Sequence, residues 1–403
     1  MKRVLLLARV FPPRVGGIER FIGELYRRAA MRGLAVRVIT PWEPGAATFD
    51  ATGPLNISRF GKPPPFRDRF YGPLVPMLLR AVLEIKRFRP DEIHCDQLDS
   101  AIVAWLLKGL FAVPYTTFAY GMEVTEGRLR RLRNRVFRNA DAVIAISQHT
   151  RELLARDVGL PADRLHVIYP AVDVETFTPG VKPAELARRL GLTGRRVVLT
   201  VARLSSCERY KGHDTVIRAL PAILSQVPEA TYLMVGDGPD RSRLEGLARR
   251  VGVAHRVVFA GSVPEQALPD YYNLCDVFAM VSRRRSTRGG GYRSEGFGIV
   301  YLEAAACGKP VVGGDVGGVA EAVENGETGL LVDPTSVEAT AQALVLLLRD
   351  EALARRLGAN GRQRVCTHFT WERAADQLVT IIGRNGRRRL SVDAWASVSG
   401  TRS

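Results

Sequence analysis

Two carboxylates lie eight residues apart around a segment that otherwise carries no charge. Glu295 stands in a glycine-flanked stretch, and Glu303 lies inside the helix that we predict to begin near Gly298. From Gly298 to Ala306 every side chain except Glu303 is small or apolar, so we expect this helix to be buried on most of its faces. A buried carboxylate is costly unless it is hydrogen-bonded or paired, so both acids need polar partners.

The backbone amides of Gly298, Ile299 and Val300 lie between these acids. Amides in the first turn of a helix have no acceptor within the helix, and the helix dipole favours an anion there, so this segment suits a phosphate. The flanking acids can bind sugar hydroxyls. The pattern therefore predicts a sugar-nucleotide site with the diphosphate at the helix start. Taken singly, Glu295 can instead be an acid near a helix N-cap, and Glu303 a member of a surface ion pair.

Two further motifs follow predicted strands. The turn after the first strand contains Gly16 and Gly17, and consecutive glycines let the backbone approach a ligand at a helix start. Later, Arg203 ends a strand and Lys211 precedes the next helix. Both cations can reach the carboxyl ends of strands, where α/β sheets bind ligands, and neutralise a diphosphate there. The alternatives are that Gly16 and Gly17 form only a tight turn, and that Arg203 and Lys211 are solvent-exposed surface cations.

The spacing of Glu295 and Glu303 resembles the Glu-x7-Glu signature of the large family of retaining glycosyltransferases with the GT-B fold, which has two Rossmann-like domains. The resemblance covers nearly the whole chain. It implies that Glu295 contacts the donor sugar and that Glu303 binds the ribose. It also implies that Arg203 and Lys211 hold the donor phosphates and stabilise the leaving nucleoside diphosphate.

Residues 11–19 resemble the N-terminal loop of this family, which faces the donor phosphate and the acceptor, so Gly16 and Gly17 become donor-binding candidates. The family commonly carries a histidine at the end of one N-domain strand, where this sequence has Tyr120. A tyrosine hydroxyl can donate a hydrogen bond, so Tyr120 is a candidate sugar contact.

The catalytic candidates are Arg203, Lys211 and Glu295, and we name no general base because the family has no agreed protein nucleophile. The segment from Arg203 to Lys211 is two or three residues longer than the common form and contains an extra cation, Arg209. Arg209 is therefore the alternative to Lys211.

Residues 288–303 resemble the corresponding stretch of GDP-mannose-dependent phosphatidylinositol mannoside mannosyltransferases. Enzymes that use UDP-sugars share most of this pattern, so both donors stay open. The resemblance implies hexosyl transfer with retention to a lipid-linked or glycan acceptor. A sugar-nucleotide epimerase of the same fold and a non-catalytic nucleotide-sugar-binding protein are the alternatives.

The length of 403 residues and the alternation of strands with helices predict two α/β domains with parallel sheets. We expect an N-terminal acceptor-side domain over residues 1–178 and a nucleotide-sugar-binding domain over 179–370. A helix near 371–385 is expected to pack back on the first domain, and 386–403 to form a flexible basic, serine-rich tail. The Pro/Gly-rich residues 46–69 are expected to form a mobile loop.

The net charge is +17, and its densest part is the stretch 127–138, which holds six arginines and no acid. Leu129, Leu132 and Val136 recur there at helical spacing, which predicts a basic amphipathic helix. Such a helix can lie on an anionic membrane, although an ordinary solvated helix is the alternative. Nucleic acid is not expected, because no zinc finger, RNP-like strand or basic-aromatic platform accompanies the charge.

The five cysteines show no zinc or disulfide spacing, which suits a reducing cytoplasm, and we expect no metal and no cofactor besides the nucleotide-sugar substrate. The first apolar run is cut by Arg9 and predicts a buried strand, not a signal peptide. The apolar residues 101–113 are interrupted by Lys108 and too short to span a bilayer. We therefore expect a cytoplasmic protein that contacts the inner face of the plasma membrane through residues 127–138.

Overall fold

The computed structural model describes residues 1–61, 74–127, 129–287 and 290–384. Within them the chain forms two compact units. The first comprises residues 1–61, 74–124, 129–170 and 371–384, and the second comprises Thr125–Gly127 and the described part of Ala171–Thr370. Residues 62–69 of the predicted loop and the predicted tail 386–403 lie outside the described residues.

The first unit is built on a parallel seven-stranded sheet with the order β3-β2-β1-β4-β5-β6-β7. Its strands are β1 (Arg3–Leu7), β2 (Ala35–Pro41), β3 (Asn56–Phe60), β4 (Glu92–Cys95), β5 (Tyr115–Ala119), β6 (Ala142–Ala145) and β7 (Leu165–Val167). The strand order reverses between β1 and β4, and ligands of such sheets bind beside that point at the carboxyl ends of the strands.

Helices cover both faces of this sheet. They are α1 (Gly17–Met31), α2 (Ala46–Thr52), α3 (Leu74–Phe88), α4 (Leu98–Phe111), α5 (Met122–Thr125, whose last residue belongs to the second unit), α6 (Arg130–Asn139) and α7 (Gln148–Leu153), with short 3-10 or π segments at Leu154–Val158 and Ala162–Arg164. Residues 371–384 form a further, C-terminal helix of this unit. Its Trp371 ring lies 6.2 Å from the ring of Phe21 on α1, and Lys2 Nζ donates to the carbonyl of Ile382 at 2.8 Å.

The second unit has a parallel six-stranded sheet with the order β10-β9-β8-β11-β14-β15, and β12 and β13 form a separate antiparallel hairpin. Its strands are β8 (Arg196–Val201), β9 (Ala230–Val235), β10 (Val257–Gly261), β11 (Val277–Met280), β12 (Arg285–Ser286), β13 (Tyr292–Arg293), β14 (Val311–Gly314) and β15 (Gly329–Val332). Here the strand order reverses between β8 and β11.

Eight α-helices are described in the second unit. They are α8 (Ala184–Arg189), α9 (His213–Leu224), α10 (Arg241–Arg250), α11 (Leu268–Leu274), α12 (Ile299–Ala306), α13 (Val319–Ala322), α14 (Val337–Arg349) and α15 (Glu351–His368). Short 3-10 segments lie at Ser206–Lys211, Ala254–Arg256 and Glu265–Ala267. The strands β8, β9, β11 and β14 are short, mainly apolar runs that are largely buried, as central parallel strands require.

Two expectations about organisation differ from the structure. Residues 46–60 are not a loop, because α2 and β3 lie there and β3 pairs with β2 from Asn56 to Phe60. The long segment of the second unit begins at Ala171, eight residues before the predicted boundary at residue 179. Residues 171–178 join this unit because Val172 N donates to the carbonyl of Phe369 at 3.0 Å and the Arg362 guanidinium binds nearby carbonyls of this segment.

Candidate functional site

The start of α12 is shaped by Gly298, which has φ +94°. A Cβ at this position would lie 2.5 Å from ring carbons of Tyr301, so only glycine fits. The Tyr301 ring is itself fixed, because its hydroxyl donates to the carbonyl of Met280 at the end of β11, at 2.6 Å. The first amides of α12, from Ile299 and Val300, are thereby held beside β11, next to the switch point of the sheet.

Glu295 lies before this helix and is mostly buried, with 12% of its side chain exposed. Its Oε2 lies 3.5 Å from Lys211 Nζ and 3.4 Å from Ser282 Oγ. The three groups come from three loops that follow β8, β11 and β13. The structure therefore brings together two of the three predicted catalytic residues, Lys211 and Glu295, and adds Ser282, which the sequence did not single out.

Lys211 is held by the backbone that follows it. Gly212 has φ +78°, and a Cβ there would lie 2.0 Å from the carbonyl oxygen of Val281, so this loop packs directly on the chain after β11. The Lys211 side chain is 16% exposed. Burial alone lowers the pKa of the ammonium, but Glu295, Tyr210 and Glu208 outweigh it and the net pKa is raised. Lys211 is thus a fixed positive charge at neutral pH.

The other two cations of this loop have different partners. The Arg203 side chain is 68% exposed and forms an ion pair with Glu208. Arg209 Nε binds Asp240 at 2.6 Å, and Asp240 is also bound by Arg243. The longer loop left Lys211 and Arg209 as candidates for the cation at the donor phosphates. Lys211 contacts Glu295, whereas Arg209 binds Asp240. In the structure Arg203 is not part of the Lys211–Glu295 contact.

Glu303 projects from the middle of α12 and is buried. Its Oε2 accepts a hydrogen bond of 2.6 Å from the hydroxyl of Tyr272 on α11. Burial and the neighbouring carboxylate raise the pKa of Tyr272 well above its usual value, so this tyrosine remains a donor. The interpretation of Glu303 as a surface ion pair is wrong, because the side chain is not on the surface. Its role toward a ribose stays a prediction.

Gly16 and Gly17 form the turn into α1 of the first unit. The buried Glu19 carboxylate lies against this turn, so close that a Cβ on Gly16 would be 2.2 Å from its Oε2. Arg14 Nε lies 3.2 Å from the other oxygen of Glu19. An anion bound at this turn would therefore lie close to the Glu19 carboxylate, which is paired with Arg14. The donor-binding role of Gly16 and Gly17 stays a prediction.

Tyr120 follows β5 and is buried. Its N–H donates to Glu123 at 2.6 Å, whereas its hydroxyl has no hydrogen-bond partner among the described residues. Burial, with Asp96 and Glu123 nearby, raises the pKa of this phenol well above its usual value. Tyr120 therefore keeps its proton and has one donor available for a ligand, as the predicted sugar contact requires.

Comparison with known proteins decides the family. The family model described as glycosyl transferases group 1 matches residues 184–364, and the one described as glycosyltransferase family 4 matches residues 15–176. A GDP-mannose-dependent alpha-(1-6)-phosphatidylinositol monomannoside mannosyltransferase of Mycobacterium tuberculosis is 36% identical over 95% of this chain and 98% of its own. The chain belongs to the group 1 glycosyltransferases. The enzyme of the same name from Mycolicibacterium smegmatis is 34% identical over 96% of this glycosyltransferase and 99% of its own length.

Solved structures of other proteins show the same fold as this glycosyltransferase. HepE of Anabaena in complex with UDP and glucose has a TM-score of 0.79 at 22% identity, covering 95% of this chain and all of its own. Sucrose-phosphate synthase of Thermosynechococcus elongatus has a TM-score of 0.78 at 26% identity, covering 97% and 100%. The expected GT-B fold with two Rossmann-like α/β domains is confirmed.

Asp96 is a buried acid near Tyr120 in the glycosyltransferase, and sequence reasoning missed it. It follows β4 at the switch point, is fully buried, and accepts hydrogen bonds from the backbone N–H of Arg9 at 2.9 Å and of Val10 at 3.1 Å, and from Ser100 Oγ at 2.7 Å. Burial raises its pKa to about 6 despite these bonds. It ties β4 to the loop that leads to Gly16. An acid directly after a buried strand was the available signal.

The described part of the glycosyltransferase contains neither a metal-ligand cluster nor a membrane-spanning helix. No group of three or more His, Cys, Asp and Glu side chains there is arranged to hold a metal ion. None of its described helices is long and apolar enough to cross a membrane.

Proposed function

We propose that this glycosyltransferase transfers mannose from GDP-mannose to a glycolipid of the phosphatidylinositol mannoside class, with retention of anomeric configuration. The observation that carries the proposal is the largely buried Lys211–Glu295 pair beside the start of α12. The choice of mannose and of a lipid acceptor is supported by the names of relatives that are 34–36% identical over nearly the whole chain.

The donor diphosphate is placed at the first amides of α12, from Ile299 and Val300, with Lys211 beside it. As the glycosidic bond breaks, negative charge grows on the diphosphate. Fixed amides and a fixed ammonium stabilise that charge more in the transition state than in the bound donor, which is what accelerates the chemical step. These groups can neutralise the diphosphate by themselves, so we propose a reaction that needs no metal ion.

Retention requires the acceptor hydroxyl to form the new bond on the face of the sugar from which the diphosphate leaves. We propose that Glu295 binds sugar hydroxyls from its position 3.5 Å from Lys211 Nζ, and that Glu303 binds the ribose. The hydroxyl of Tyr120 takes the place of the histidine that the family commonly has. Arg203 is a second cation for the diphosphate, since its guanidinium is 68% exposed and binds Glu208 through one terminal nitrogen.

We also propose a cytoplasmic location at the inner face of the plasma membrane. A water-soluble donor and a bilayer-anchored acceptor meet only at a membrane surface, and the exposed arginines of α6 suit anionic lipid headgroups.

A thermal-shift panel tests the donor. A ligand that binds only the folded protein at one hundred times its Kd adds about 2.7 kcal/mol of stability, so GDP and GDP-mannose should stabilise the protein while UDP, UDP-glucose and ADP at equal concentration do not. Stabilisation by UDP ligands alone would replace GDP-mannose as donor. The acceptor is tested by mannose transfer to phosphatidylinositol mannosides in the presence of EDTA, and retention by the anomeric NMR coupling of the product. Conversion of the donor without any acceptor would favour the epimerase.

A further inference from the structure

The segment Thr125–Gly127 is hydrogen-bonded to the hairpin of β12 and β13, and both belong to the second unit. Glu126 forms an antiparallel bridge with Gly291, and Gly127 N donates to the carbonyl of Gly290 at 3.0 Å. We call these three residues the 125–127 segment. Its backbone pairs with the hairpin that directly precedes the candidate donor site.

The contact is closest at Gly291, whose φ is +85°. A Cβ there would lie 2.0 Å from the carbonyl oxygen of Thr125, so only glycine lets the segment lie this near. Thr125 in turn donates through Oγ1 to the carbonyl of Tyr292 at 2.7 Å. Gly290 has a similar φ of +79°, but a Cβ there would meet no atom of the described residues within 4 Å. The close approach therefore depends on one position of the hairpin.

Arg293 connects this segment with the loop of Lys211. Its Nε donates to Glu126 Oε1 at 2.5 Å, and its Nη1 donates to the carbonyl oxygen of Cys207 at 3.1 Å. Cys207 lies four residues before Lys211, and Arg293 lies two residues before Glu295. One guanidinium therefore joins the two chain segments from which these catalytic candidates project.

The ion pair of Glu126 and Arg293 is partly exposed, with 30% and 32% of the two side chains accessible. A pair of this kind adds little to stability. The guanidinium is planar and its donors are fixed relative to one another, so simultaneous bonds to a carboxylate and to a carbonyl determine its orientation. The pair is therefore better suited to hold two chain segments in place than to stabilise the fold.

We propose that Glu126 is a positioning residue, which orients Arg293. Arg293 then sets the distance between the chain segments that carry Lys211 and Glu295. A misplacement of about 1 Å at reacting groups can lower a rate roughly 10²-fold, so a residue that fixes this distance acts on kcat without touching the donor. This inference deepens the proposed function and rests on it in taking Lys211 and Glu295 as groups that contact the donor.

The first test compares Glu126→Gln and Arg293→Lys with Glu351→Gln as the matched control. Glu126→Gln removes the charge and keeps the size, and Arg293→Lys keeps the charge but replaces the fork by a single nitrogen. Both should lower kcat roughly tenfold or more and change the Kd of GDP much less. Glu351 binds Arg196 at the amino end of β8 in a pair that is also partly exposed, so Glu351→Gln should keep the wild-type kcat.

Two glycine variants test the 125–127 segment without changing a charge. Gly291→Ala places a methyl group against the carbonyl oxygen of Thr125, whereas the methyl group of Gly290→Ala meets no described atom within 4 Å. Both variants bear the strain of a positive φ. Gly291→Ala should therefore lower kcat, and Gly290→Ala should keep it within a few-fold of the wild type. This pair decides the test if Glu126→Gln folds poorly.

A thermodynamic cycle tests the role of Glu126 without any substrate. The unfolding free energies of the wild type, Lys211→Met, Glu295→Gln and the double variant give the coupling of the two side chains. In a Glu126→Gln background this coupling should fall by roughly half or more. If the wild type transfers no mannose, the proposed donor is wrong and the cycle still decides the role of Glu126. An unchanged coupling would overturn the inference, and so would a Glu126→Gln enzyme with the kcat of Glu351→Gln.

Discussion

Lys211 Nζ and Glu295 Oε2 lie 3.5 Å apart in a largely buried setting, although 84 positions of sequence separate the two residues. Each charge offsets the cost of burying the other. Removal of one partner leaves an uncompensated buried charge, which is the costly way to break such a pair. Variants at either position therefore need a measurement of stability beside the measurement of activity.

Lys211→Ala should lower kcat roughly 10²–10³-fold, because a fixed cation at the leaving diphosphate acts mainly on the transition state. The affinity for GDP-mannose, measured by calorimetry, should fall less. Arg209→Ala is the matched control from the same loop, since Arg209 is bound to Asp240, and it should keep kcat within a few-fold. A larger loss of kcat in the Arg209 variant would exchange the roles of the two cations.

Glu303→Ala should weaken GDP binding by about 1.5–3 kcal/mol, which is about 10–150-fold in Kd, if its carboxylate binds the ribose by charge-assisted hydrogen bonds. Tyr272→Phe removes the hydroxyl that donates to Glu303 and leaves the carboxylate, so it should change Kd much less. Titration calorimetry on both proteins checks this. Equal GDP affinity in the wild type and a folded Glu303→Ala variant would take Glu303 out of the nucleotide site.

Tyr120→Phe should raise stability and lower activity together. Its hydroxyl is buried without a partner among the described residues, so its removal should stabilise the fold by about 1 kcal/mol. The same removal should lower kcat/KM for the donor, since a sugar contact is lost. Denaturant unfolding and steady-state kinetics measure the two effects. A Tyr120→Phe enzyme with unchanged kcat/KM would show that this hydroxyl does not contact the sugar.

Asp96 should make stability depend on pH. Its pKa of about 6 in the fold lies above the value of about 3.9 expected for an unfolded chain, so between these values the folded state holds a proton that the unfolded state has lost. The contribution of Asp96 to stability therefore falls as pH rises from about 4 to about 6 and is constant above. The Asp96→Asn variant lacks this fall. The free energy of unfolding of the wild type should therefore drop by about 3 kcal/mol relative to that of the variant across this pH window. Plots of unfolding free energy against pH that stay parallel for the two proteins from pH 4 to pH 7 would contradict this prediction.

The sequence was most informative where a strand is a short apolar run. The strand Val277–Met280 is such a run, and it is buried at every position. β3 was missed because it is a short edge strand whose residues Asn56, Ser58 and Arg59 give no apolar run. Half-exposed edge strands have a weaker signal than central ones.

Two features of the site and its surroundings could not be read from residue types. Arginine is almost always exposed, so the burial of Arg133 against backbone carbonyls was not expected. The choice between Lys211 and Arg209 was also open, because both lie in one short segment and only the fold decides which of them reaches Glu295.

The contact of Trp371 with Phe21 has a consequence for synthesis of the protein. The helix that carries Trp371 belongs to the first unit, yet it leaves the ribosome after the whole second unit has been made. Domains generally fold from the N-terminus onward as they emerge. Here the first unit must wait without the cover that Trp371 gives to Phe21 of α1 until the C-terminal helix appears. A ribosome stalled before Trp371 should therefore hold a complete second unit beside a first unit that is still sensitive to protease.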